Sequence, residues 1–203
     1  MAYIGKTPTS VPLTSSDITD GIISTAKIAD NAISAAKLAS GVGGKVLQVV
    51  SAHKTDTSET TSTSFTDISS LSLNITPVSE SSKIYLSGEV SMSNETGTAT
   101  CLVGIFFNVA RGSYTQINMG DSSLNRSQVT AHVAAVDTRD TEVGSFTFLH
   151  TPTYTLGNTL NYKLQFKSQS GGYIACIGRQ GTDGNAAYTG RMPGNLTLME
   201  IVA

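Results

Sequence analysis

Apolar positions follow two different periods along this chain, and the change of period divides it into parts. Over residues 18–42 a ten-residue unit repeats, with an aliphatic residue at every fifth position. A step of five stays on one face of neither an α-helix nor a β-strand, so the backbone has to turn within each unit. Asp20-Gly21, Asp30-Asn31 and Ser40-Gly41 supply residues that accept such turns. The aliphatic positions are Ile18, Ile23, Ile28, Ile33 and Leu38.

Each unit of this repeat is too short to bury its own aliphatic side chains, whereas stacked or intertwined copies are able to do so. The segment 18–45, which ends in a glycine hinge, therefore predicts a thin stalk held together by neighbouring chains. Within it, Ser24 to Lys27 and Ser34 to Lys37 predict one-turn helices, each with a serine cap and a lysine near the end. A single amphipathic helix over 22–39 is the alternative interpretation.

From residue 46 onwards the apolar positions alternate instead with polar ones, which is the period of β-strands. Eight to ten short strands separated by Gly, Asn and Ser predict a β-sandwich or jelly roll over residues 46–203. The clearest alternation runs through Leu160, Tyr162, Leu164 and Phe166. Further strands are predicted at 46–50, 65–75, 84–92, 101–109, 129–135, 146–148, 172–177 and 196–202. The predicted fold is thus mainly β, with a short N-terminal stalk containing brief helical turns.

Residues 1–17 precede both patterns and have no apolar period of their own. Pro8 and Pro12 favour an extended arm, which is either a disordered tail or a docking peptide. Under the second interpretation, the anchors to a partner protein are Tyr3, Ile4, Val11 and Leu13.

Composition and charge exclude some classes of binding partner. Charged residues make up 14% of the chain and the formal net charge is −2, so there is no basic field to hold nucleic acid. The first residues lack the pattern of a signal peptide, and no apolar run reaches the roughly 18 residues that span a bilayer. We therefore expect synthesis in a cytosol and no membrane insertion. In that compartment Cys101 and Cys176 are expected to be buried thiols rather than a disulfide.

A search for catalytic and metal-binding motifs finds none. Nucleophile elbows, phosphate loops and paired metal-ligand histidines are all missing from the sequence. His53, His132 and His150 are scattered, and His132 alternates with apolar neighbours as a packed strand residue does. The acidic residues around Arg139 are typical of a solvated turn. We therefore expect no enzyme activity, no cofactor and no metal.

Several motifs resemble the tail fibres of cyanophages and other marine tailed phages. They are the opening Met1-Ala-Tyr-Ile-Gly-Lys-Thr-Pro, the repeat Thr25-Ala-Lys-Ile-Ala-Asp-Asn-Ala-Ile, and several segments of the β-domain. These segments begin at Lys45, Ser64, Leu73, Ser82 and Leu196. The resemblance implies a homotrimer whose N-termini dock on tail, baseplate or adaptor proteins of the virion. It also implies that the C-terminal head binds a glycan or outer-membrane protein of the host surface. With about two and a half repeats, the fibre would be short.

Two predicted loops are candidates for such receptor contact because they combine tyrosine and arginine with amides and hydroxyls, which suits saccharides. The structural alternative for each loop is a solvated surface or a contact between subunits. The first loop, 110–127, contributes Arg111, Tyr114 and Arg126, and the second, 179–194, contributes Arg179, Asp183, Asn185, Tyr188 and Arg191.

Three other functions stay open at this point. One is a purely structural baseplate or decoration protein that forms the same trimer without touching the host. The others are a bacterial trimeric adhesin, disfavoured by the missing signal peptide, and a depolymerase, disfavoured because no pair of carboxylates stands out.

Overall fold

The computed structural model describes residues 45–202 and, upstream of them, residues 14, 18, 23–29, 32–33 and 37. The chain divides into two compact units, Met1–Gly44 and Lys45–Ala203. The proposed anchors Tyr3, Ile4, Val11 and Leu13 lie outside the described residues, as do Leu38 and residues 34–36 of the second predicted helical turn.

In the first unit, a 3₁₀-helix at Thr25–Lys27 follows Ser24, where the sequence predicts a one-turn helix. The amide of Lys27 donates to the Ser24 carbonyl over 2.9 Å. The repeat isoleucines are 39–53% exposed within one chain, although each is a large aliphatic residue. They are Ile18, Ile23, Ile28 and Ile33.

The second unit consists of antiparallel β-sheets, which confirms the mainly β part of the prediction. Eleven strands are present among the described residues: β1 (Val46–Lys54), β2 (Ser58–Thr60), β3 (Thr66–Ile75), β4 (Lys83–Asn94), β5 (Thr100–Val109), β6 (Thr115–Ile117), β7 (Ala131–Ala134), β8 (Glu142–His150), β9 (Leu160–Ser168), β10 (Ala175–Ile177) and β11 (Gly194–Ile201). The alternation did not reveal β2 and β6, because three residues are too few to display a period.

These strands form two sheets. The first has the order β1–β11–β4–β8, and the short strands β10 and β2 extend it beyond the end of β11. The second has the order β3–β9–β5, and β6 and β7 pair with successive halves of the remaining edge of β5.

The two sheets pack through one apolar core, as the period-two pattern requires. On β4 the side chains of Ile84, Leu86 and Val90 point inward, and those of Leu196 and Leu198 do so on β11. The facing side of the second sheet contributes Val103, Ile105, Leu160, Leu164 and Phe166. Each such side chain contributes roughly 1.5–3 kcal/mol on burial, so this core is the main source of stability.

Because neighbouring strands are antiparallel, their connections gather at two opposite ends of the β-domain. Residue 45 enters at what we call the near end, where the amide of Val202 donates to the Lys45 carbonyl over 2.9 Å. The connections 76–82, 110–114 and 151–159 also lie there. The far end holds the connections 95–99, 135–141, 169–174 and 178–193.

At the near end of the core, an aromatic cluster surrounds His150. Its Nδ1 lies 2.9 Å from the Tyr162 hydroxyl, and the Phe107 ring stands edge-on to it at 4.6 Å. Burial lowers the pKa of His150, and burial also raises the pKa of Tyr162, with a smaller contribution from Tyr154. Burial therefore favours the neutral form of both groups.

Candidate functional site

The far-end loop, residues 178–193, connects β10 to β11 and contains the second group of predicted receptor residues. It is closed at its base, where Arg179 and Arg191 form an isolated antiparallel bridge and the Met192 amide donates to the Gly178 carbonyl over 3.0 Å. Gly178 has a φ of +79°, and a Cβ at this position would lie 2.9 Å from the Asp56 carbonyl oxygen. Only glycine permits this sharp departure from the sheet.

The buried side chain of Arg179 holds the start of the far-end loop in place. Its side chain is 4% exposed, and Nη2 contacts Glu59 over 2.7 Å and Glu95 over 2.6 Å. Its Nη1 donates to the carbonyls of Gln180 and Gly181 over 3.0 and 2.9 Å. Burial alone would lower the pKa of Arg179, but the hydrogen bonds to Glu95 and Glu59 outweigh it, and the pKa is raised.

This placement differs from the expectation that Arg179 contacts a receptor. Its donors already serve two carboxylates and two carbonyls, so the guanidinium holds the loop and does not face solvent. No local pattern indicates this role, because Glu59 and Glu95 lie 120 and 84 residues away along the chain.

The loop is also fastened to the neighbouring far-end turn between β7 and β8. The Thr182 amide and hydroxyl contact the carbonyl and hydroxyl of Thr138 over 2.9 and 2.8 Å. Gln180 Nε2 donates to the Arg139 carbonyl over 2.9 Å. A Cβ at Gly181 would lie 2.0 Å from the Asn94 carbonyl oxygen, so this close approach requires glycine. The turn itself is solvated, as predicted, and its Asp137 accepts from the Arg139 amide over 2.9 Å.

Within the loop, Thr189 organises a small polar cleft. Its hydroxyl lies within hydrogen-bond distance of the Gly184 and Ala186 carbonyls. The cleft has a volume of about 330 Å³ and is lined by polar residues, among them Thr182, Asp183, Asn185 and Arg191. Asp183 and Arg191 form an exposed ion pair of 2.8 Å across it, with side chains 42% and 55% exposed.

Tyr188 directly precedes Thr189 in the same loop, and 67% of its surface is open to solvent. The Arg139 guanidinium stands over its ring, 5.2 Å from the centroid. Arg139 was predicted only as part of a solvated turn, and no local signal links it to Tyr188. An aromatic ring near hydroxyl, amide and guanidinium groups suits the binding of a sugar. The ring packs against the C–H face of a pyranose, and the polar groups form hydrogen bonds with its hydroxyls.

The first predicted receptor loop does not join this site. Arg111 and Tyr114 lie at the near end, and Lys163 Nζ stands 4.0 Å from the centroid of the Tyr114 ring. Arg126 donates to the Ser123 hydroxyl over 2.6 Å. It lines a separate cleft of about 450 Å³ on the outer face of the second sheet, together with Asn125, His132 and Gln169. The structure thus divides the eight predicted receptor residues among three places.

In the part of the chain that the structure describes, no three His, Cys, Asp or Glu side chains come together as metal ligands would. Cys101 and Cys176 are buried, unpaired thiols, and burial raises the pKa of Cys176 to about 11. Among the described residues no helix is long and apolar enough to cross a membrane.

Comparison with known proteins gives no indication of the function of this site. The sequence matches no family model, and a search of curated proteins found no relative.

Proposed function

We propose that this chain is a trimeric tail fibre of a tailed bacteriophage, fixed to the virion by its N-terminus and binding a host-surface saccharide through the far-end loop. The observation that carries the proposal is the position of that loop. It lies at the end of the β-domain opposite to residue 45, so a chain held by its N-terminus would present Tyr188 and the polar cleft outward.

The strand order supports this proposal by analogy. The two four-stranded sets β1–β11–β4–β8 and β3–β9–β5–β7 follow the order of a jelly roll, a fold that viral capsid and lectin domains use. Because one fold serves many functions, saccharide binding is inferred from the side chains of the far-end loop and not from the fold.

The repeat supports the trimeric part. Four of its isoleucines stand at a regular spacing of five, and each is at least 39% exposed within one chain. A single copy of this segment gains little from burial, whereas three copies around a common axis would cover these side chains. The aliphatics would then form the core of a stalk.

The proposed saccharide site predicts that two exposed side chains matter for binding and not for folding. Tyr188→Ala removes the aromatic face and Arg191→Met removes the exposed guanidinium. We expect either change to weaken binding of the full chain to surface glycans of the host bacterium by about tenfold or more. Glycan arrays and retention on whole cells measure this binding, and thermal unfolding should be nearly unchanged.

Tyr114→Ala is the matched control for Tyr188→Ala, because Tyr114 is a 39% exposed tyrosine at the near end. We expect that variant to bind as the parent chain does. Equal binding by all three variants, or none by the parent chain, would favour the structural baseplate or decoration protein instead.

The anchoring part of the proposal predicts a separate outcome. Deleting residues 2–14 should leave a folded oligomer that binds glycans but no longer joins phage particles, since the proposed anchors are gone. Electron microscopy of assembled particles measures the fibre content. Normal incorporation of the shortened chain would place the attachment surface elsewhere.

A further inference from the structure

The outer face of the first sheet bears an apolar patch at its near end. Direct register places Val49, Met199, Tyr85 and Leu149 in one row across β1, β11, β4 and β8. Directly opposite residues share a face of a sheet, and their chain neighbours Leu86 and Leu198 point into the core. Val46 and Ile201 form a pair that extends the row towards residue 45, and Leu47 follows Val46 at the register shift of β1. We call these seven residues the outer patch.

In one chain, four of the seven residues of the outer patch are exposed and the other three are half-buried. Val46 is 50% exposed, Val49 53% and Leu149 47%. One row further towards the far end the same strands present Ser51, Thr197, Ser87 and Thr147, which are all hydroxyl residues. The apolar surface is therefore sharply bounded and is concentrated where the chain enters the domain.

The positions of charged residues indicate what kind of surface covers the outer patch. The row through Tyr85 and the hydroxyl row beside it contain no charged residue, and Lys83 lies only at the border. The outer face of the second sheet is different, since it presents Lys163, Lys167 and Asp67. A surface that meets an identical copy brings like charges together near the symmetry axis, so it has to be uncharged there.

The area of the outer patch indicates what a contact between two copies would need in order to be stable. With strands about 4.8 Å apart and a rise of about 3.3 Å per residue, the patch covers roughly 200 Å². A stable pair of independent proteins buries about 800 Å² per partner. The patch is thus too small to hold free domains together, but it suffices for copies that a shared stalk keeps at high local concentration.

We infer that the outer patch is the surface through which the β-domains of neighbouring copies pack against one another. This inference rests on the proposed trimer. It assigns the apolar face of the first sheet to the symmetry axis, and it leaves the far-end loops and the charged face of the second sheet open to solvent.

The test compares two leucines of nearly equal exposure in the full chain. Leu149→Lys places a cation in the patch, whereas Leu156→Lys changes a 48% exposed leucine in the connection between β8 and β9. An unpaired charge is excluded from an apolar contact, so we expect Leu149→Lys to weaken self-association by about a hundredfold or more. Sedimentation equilibrium measures the association, and Leu156→Lys should match the parent chain.

A second measurement does not depend on a disruptive substitution. The chain contains no tryptophan, so Tyr85→Trp provides a single fluorescent reporter at the centre of the patch. We expect blue-shifted emission in the assembled state and a red shift on dilution, whereas Tyr188→Trp should stay red-shifted throughout.

The outcomes separate this inference from the proposed function. A parent chain that assembles while Leu149→Lys assembles equally well overturns the inference alone. Emission from Tyr85→Trp that stays blue-shifted in dissociated chains also overturns it, because the cover then comes from the same chain. A parent chain that stays monomeric overturns both the inference and the trimeric fibre.

Discussion

Replacing Glu200 with alanine should lower the free energy of unfolding by about 3 kcal/mol, because several donors lose a shared acceptor. The side chain is fully buried at the near end. Its Oε1 accepts from the Val78 amide over 2.9 Å and from the Ser82 hydroxyl over 2.6 Å, and Oε2 accepts from Gln48 Nε2. One carboxylate therefore ties β1 and the connection between β3 and β4 to β11.

Glu89→Ala is the control for this loss. Glu89 is an exposed glutamate on the outer face of the same sheet, and its Oε1 accepts a hydrogen bond from Asn195 Nδ2 over 3.0 Å. We expect a change within about 0.5 kcal/mol there. Urea unfolding of the two variants measures the difference, and equal losses would show that the buried network contributes no special stability.

Replacing Arg179 with methionine should lower the free energy of unfolding by about 2 kcal/mol or more, and it should also disturb the far-end loop. The change leaves Glu59 and Glu95 close together without a cation, and it strips the Gln180 and Gly181 carbonyls of their donor. The loss of stability stays moderate because the side chains of Glu59 and Glu95 are 64% and 33% exposed. Water is therefore able to solvate part of their charge once the guanidinium is gone.

Arg191→Met is the matched control, since it breaks an ion pair whose two side chains are both exposed. Such pairs contribute about 0–1 kcal/mol. We expect Arg191→Met to weaken saccharide binding while stability is kept, and Arg179→Met to weaken both. Chemical unfolding together with glycan binding separates the two. An Arg179→Met variant with the stability of the parent would contradict the anchoring assigned to this residue.

The β-domain was predictable from the sequence to the extent that its signal is local. A period of two along the chain is what a strand with one face in a core requires, and β9, β11 and the first half of β4 follow it closely. The regular spacing of the aliphatic residues in the repeat is visible in the same way. Because both patterns are read over a few adjacent residues, no knowledge of the pairing between strands was needed.

The tertiary structure decided what depends on residues distant in the sequence. Composition alone placed Arg179 and Arg191 in one list of receptor candidates, but only the first meets Glu59 and Glu95 and becomes buried. The position of Tyr188 under Arg139 is likewise fixed by contacts between two separate loops.

The same limit applies to the two candidate loops and to the outer patch. Sequence alone determined that this chain has a mainly β domain, a repeat with an aliphatic residue at every fifth position and two polar loops that contain tyrosine and arginine. Only the strand order placed Tyr114 and Tyr188 at opposite ends, and only the register aligned Val49, Tyr85 and Leu149 in one row. Local alternation states which side of a strand is apolar, whereas the neighbours of that strand are chosen by packing across the whole core.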